Sequence, residues 1–152
     1  MSNDVQMFNT LPRTKLTTSK LVKNDWIFTI RHVDIDPEAD LLMLVNPGSR
    51  FSHCEGPVHL ENLSYEDKGG VVANLLIRAF NSAMGDPDAP KLAPWTWMTN
   101  DLTLAKAVEV ALKALGVVGD LCAVELADLD ARKVADEQWK DLICTIKRSV
   151  GK

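Results

Sequence analysis

The chain has 152 residues, 46% of them apolar and 25% charged, with a formal net charge of −4. That length suits one domain around one core, the composition is ordinary for a globular protein, and no apolar run nears the roughly 20 residues a membrane-spanning helix needs. The opening Met1-Ser2-Asn3-Asp4-Val5-Gln6 has neither a basic nor an apolar stretch, so no secretory signal is read there and the cytoplasm is the expected compartment.

Residues 1–22 read as an N-terminal arm and 23–152 as a single α+β domain. Up to Lys23 the chain holds four cations (Arg13, Lys15, Lys20 and Lys23) against Asp4, a net of +3 that leaves −7 for the rest. An acidic body is a poor match for a nucleic-acid backbone. The basic arm suits docking on an anionic partner or folding against its own body.

Trp26 to Val33 reads as a first strand, with Trp26, Phe28 and Ile30 on one face and Thr29 and Arg31 on the other. Leu41 to Val45 is a continuous apolar run ended by Asn46-Pro47-Gly48, as in a strand buried on both faces. Between them Asp34, Asp36, Glu38 and Asp40 alternate as calcium ligands do. The required turn glycine is Ala39, however, and the bidentate glutamate position is Val45, so the segment reads as a solvated hairpin loop.

Residues 49–63 read as a long loop, and they hold His53-Cys54-Glu55-Gly56-Pro57-Val58-His59. Imidazole and thiol titrate nearest neutrality, which makes His53, Cys54 and His59 the catalytic candidates. One arrangement uses Cys54 as nucleophile with His59 or His32 as base. Another binds zinc, with His32 or Glu55 completing the set. Against zinc, adjacent side chains of an extended segment point to opposite faces, and no CxxC or HxxxH pair anchors a site.

The clearest helix follows. Ser64-Tyr65-Glu66-Asp67 reads as its cap, and Val72, Leu75, Leu76, Ala79, Phe80 and Ala83 as its apolar stripe. Gly69-Gly70 weaken the first turn and place the helix start near Gly70, and Gly85-Asp86-Pro87 ends it. Trp95 to Met98 reads as a short strand with Trp95 and Trp97 on one face. Asn100 or Asp101 caps a second helix (Leu104, Ala105, Val108, Ala111, Leu112, Leu115) that Gly116 stops. Leu121 to Ala127 is a further strand. Asp128 or Asp130 opens a last helix with Ala135, Trp139, Leu142, Ile143 and Ile146 inward, and Lys147 and Arg148 suit its C-terminal dipole.

The order β-β-α-β-α-β-α implies an α+β fold: a four-stranded mixed sheet with three helices packed mainly on one face. Trp95, Trp97 and Trp26 are the ligand-binding candidates, since aromatic rings line pockets as well as cores. Cys54, Cys122 and Cys144 are an odd, unpatterned set that reads as reduced thiols. Phosphate loops, dinucleotide fingerprints and Ser/His/Asp spacing are absent.

The leading expectation is a small intracellular binding or interaction domain with no catalytic cofactor and no metal ligands. Its expected partner is a small molecule or a protein. The alternatives are a cofactor-free enzyme working through His53, Cys54 and His59, and a zinc-stabilised adaptor. A site in 49–63 requires His53 and His59 to converge on a cleft that Trp95 or Trp97 borders.

Overall fold

In the computed structural model, which describes residues 2–17 and 21–150, the alternating run after Lys23 forms strand β1 (Asp25–Val33). Lys20 of the basic arm lies outside the described residues. The apolar run forms β2 (Ala39–Asn46), antiparallel to β1 with Phe28 opposite Leu44 and Ile30 opposite Leu42. Strand β4 (Thr96–Thr99) lies parallel to β1, and β5 (Val124–Leu126) parallel to β4.

The fold is α+β with one mixed sheet, but among the described residues the sheet has five strands, in the order β3 (Phe51–Val58), β2, β1, β4 and β5. The additional strand is β3, drawn from the segment read as a loop and antiparallel to β2. Its polar sequence and its Gly56-Pro57 step hide it from a propensity reading. At a sheet edge such a sequence is tolerated, because only one side of the strand needs ladder bonds and its faces are half-exposed.

Among the described residues the α-helices number four, not three. The addition is α1 (Asn3–Thr10), within the N-terminal stretch, where the Ser2 hydroxyl accepts from the Val5 N–H. Val5 and Phe8 are buried, and Phe8 stacks on Trp97 with 5.8 Å between ring centroids. Arg13 then lies 4.4 Å from the Trp95 ring and donates to the Pro94 and Trp95 carbonyls, so this cation folds against the body.

Helix α2 (Tyr65–Asn81) is capped by Ser64, whose hydroxyl accepts from the Asp67 N–H, as the sequence suggests. It runs through Gly69-Gly70 instead of starting at Gly70, because Gly69 is where α2 meets α3 (Leu102–Leu115). A Cβ at Gly69 would stand 2.6 Å from the Ala107 carbonyl oxygen. Asp101 caps α3 and Gly116 ends it in the left-handed region, φ 93°.

Helices α1, α2 and α3 cover the face bearing Trp26, Phe28, Leu42, Leu44 and Trp97. Helix α4 (Leu129–Val150) covers the opposite face, where Ala131 and Ala135 pack with Ile27, Met43 and Val45. The expected packing mainly on one face therefore becomes a three-layer arrangement. Its cause is β2: Leu42 and Leu44 point one way, Met43 and Val45 the other, all four are fully buried, and both sides need a cover.

Candidate functional site

Leaving α2, the chain turns through Ala83, Met84 and Gly85 with φ of 50°, 57° and 82°. A left-handed non-glycine residue costs about 1–2 kcal/mol, so two in succession mark a place where the surroundings hold the backbone in a strained turn. This turn closes one side of a cleft of about 430 Å³. Trp26 at the start of β1, Phe51 at the start of β3 and Phe80 at the end of α2 supply its aromatic wall, and Met84, Pro90 and Leu92 extend it. Trp26 meets Phe80 edge-on at 5.4 Å and Phe51 at 6.2 Å.

Local structure fixes the polar rim. The β2–β3 turn is held by the Asn46 side-chain oxygen, which accepts from the Ser49 N–H, and by the Arg50 N–H donating to the Asn46 carbonyl. Opposite it, the Asp86 carboxylate accepts from the Asp88 N–H and orders the loop after the left-handed turn.

A second, polar hollow of about 350 Å³ lies at the other end of β2, lined by His32, Asp40 and His59 among others. Asp40 accepts from the Leu60 N–H at 2.9 Å, and its other oxygen lies 2.9 Å from His32 Nδ1. Burial alone would push the Asp40 carboxyl up. The Leu60 and His32 hydrogen bonds and the charges of His32 and His59 outweigh it and hold the group below its usual value. The hydrogen bond to Asp40 raises His32 in turn, against partial loss of solvent. Among the described residues, His32, Asp34 and Glu38 bring ligand-type atoms within 4.8 Å of one another; all three are exposed, His32 near the end of β1 and the two carboxylates in the loop that follows.

The structure distributes the sequence candidates over several places. His53 sits on the α2 side of β3, where Nε2 is sheltered without a hydrogen bond and 3.5 Å from Glu55, itself 3.5 Å from Arg78. Cys54 points to the α4 side, among the residues packed on Met43 and Val45. His59 lines the polar hollow. Trp97 is in the core, donating from Nε1 to the Leu121 carbonyl, and Trp95 lies beneath Arg13. Of the six, only Trp26 borders the large cleft.

Sequence reasoning did not single out Phe51, Phe80, Met84 and Asp86 as site residues. The signal was the abrupt Gly85-Asp86-Pro87 stop next to an aromatic helix end.

Burial pushes the Cys54 thiol up to about 11, with the Arg31 charge opposing it weakly. A thiol held there is protonated at neutral pH and is a poor nucleophile. Brief alkylation of the native protein at pH 8, read by mass spectrometry, should label the exposed Cys144 first. The half-buried Cys54 should label far more slowly, and the buried Cys122 only on unfolding. Labelling of Cys54 as fast as Cys144 would contradict the burial argument.

Comparison with protein-family models, with curated proteins and with solved structures returns no match. Among the described residues, no helix is long and apolar enough to cross a membrane.

Proposed function

We propose that the chain is a binding domain that takes a small organic molecule with an apolar body into the Trp26 cleft, with no catalytic cofactor. One observation carries the reading: three aromatic side chains from β1, β3 and α2 meet a strained left-handed turn around one opening. The volume lies within the roughly 300–1,000 Å³ typical of small-molecule sites, and the lining is mostly apolar, as such sites require. The rival enzyme reading has less support, because His53, Cys54 and His59 face three different surroundings and Cys54 is held as a thiol.

Indole is a suitable first probe, followed by amide and indole N–H chemical shifts. Saturable shifts confined to Trp26, residues 49–51 and residues 83–86 are expected. Ala89→Phe, which fills the cleft from a half-exposed loop position, should abolish them without changing the urea midpoint. Ser49→Trp should do the same from the opposite rim. Shifts scattered over the surface, or binding indifferent to both substitutions, would overturn the reading.

A further inference from the structure

The polar groups left unspent around the cleft define the class of molecule it takes, an inference that rests on the binding reading above. The Asn24 side chain is fully committed: its oxygen accepts from Trp26 Nε1, and its nitrogen donates to the Thr14 and Ala93 carbonyls. Asn46 is committed too, donating to the Lys23 carbonyl and accepting from the Ser49 N–H. These asparagines hold the walls in place and have little left for a ligand. Ser49 and Thr17 accept from the backbone N–H groups of Phe51 and Val22, keeping a hydroxyl proton each but no charge.

Asp86 differs. Its one hydrogen bond is from the Asp88 N–H at 3.0 Å, and among the described residues no cation pairs with it. It is also the one charged side chain among the described residues that line the cleft. An ionised carboxylate only accepts, so it is satisfied by a donor and best by a charged one. The left-handed turn at 83–85 directly precedes Asp86 and carries it to the rim beside the aromatic wall.

We propose that the cleft selects a hydrophobic amine, with the ammonium group on the Asp86 carboxylate and the apolar body against Trp26, Phe51 and Met84. A ligand anion is disfavoured at the same place, both by Asp86 and by the net charge of −4. Because Asp86 is exposed, solvent screens the contact and the preference is moderate.

The test compares three probes that share the indole ring system: indole, tryptamine and indole-3-propionate, titrated at low salt by calorimetry or chemical shift. Tryptamine should bind about threefold to tenfold more tightly than indole and the propionate more weakly, with the difference shrinking as salt rises. Asp86→Asn keeps an acceptor for the Asp88 N–H and should remove the preference for tryptamine. Asp88→Asn removes the same formal charge two residues away and should retain it. If none of the three probes binds at the cleft, the binding reading itself fails. Should indole and tryptamine bind equally, the cleft stands and amine selection is overturned. A preference that survives Asp86→Asn, or is lost equally in Asp88→Asn, would overturn the role of Asp86.

Discussion

Phe8→Ala is expected to destabilise the protein by about 3–5 kcal/mol, the usual cost of deleting a fully buried phenylalanine. Phe8 has no exposed surface, lies parallel to Trp97 at 5.8 Å and meets Phe80 edge-on at 6.4 Å. Removing its ring leaves a void between α1, α2 and β4 that these neighbours cannot all close. The measurement is the midpoint and slope of urea unfolding. Met7→Ala, one residue away and 37% exposed, should change stability by less than about 0.5 kcal/mol. If Phe8→Ala cost as little as Met7→Ala, α1 would be an appended arm with no share in the core.

Gly69→Ala and Gly70→Ala should move stability in opposite directions. Both positions lie inside α2, where alanine is intrinsically better than glycine by about 1 kcal/mol. At Gly70 nothing lies within 4 Å of the new methyl group, so the substitution should stabilise by about 0.5–1 kcal/mol. At Gly69 the methyl would stand 2.6 Å from the oxygen and 2.7 Å from the carbon of the Ala107 carbonyl, both backbone atoms that cannot step aside. Forcing α2 and α3 apart should cost about 1–3 kcal/mol net of the helical gain, as overpacking commonly does. Equal midpoints for the two variants would mean that the helices do not cross at Gly69.

Legibility in the sequence followed the range of the interactions involved. Caps and stops depend on residues three or four apart. Ser64 before α2, Asp101 before α3 and Gly116 after it stand where the pattern places them. Asp128, one of the two residues read as opening the last helix, accepts from the Ala131 N–H at its start. The faces of β1 are equally local, with Trp26 and Phe28 in one cluster and Ile27 in the other. Strand β3 was not legible, because an edge strand needs no apolar alternation and His53, Glu55 and Pro57 resemble a loop. Helix α1 was hidden for another reason: two buried residues in eight set no period strong enough to read.

The candidate site shows the division most sharply. Clustering in sequence gathered His53, Cys54 and His59, yet a strand sends neighbours to opposite faces and the β3 exit carries His59 to the far end of β2. Trp26 was identified as a possible ligand residue from its type alone. Its companions Phe51, Phe80 and Asp86 come from segments about 25 to 60 residues away, joined by a sheet order and a left-handed turn that no local pattern specifies.

By itself, then, the sequence determined the caps at Ser64 and Asp101, the stop at Gly116, the two faces of β1 and the α+β class, since caps and periodicity act within a few residues. It also held, in the unbroken apolar run of β2, the need for cover on both sides. Which helix supplies each cover, where the polar edge strand pairs and which rings surround the cleft were decided only by the tertiary structure. Those outcomes depend on packing between segments far apart in the chain, where burial and the room left at Gly69 select one arrangement.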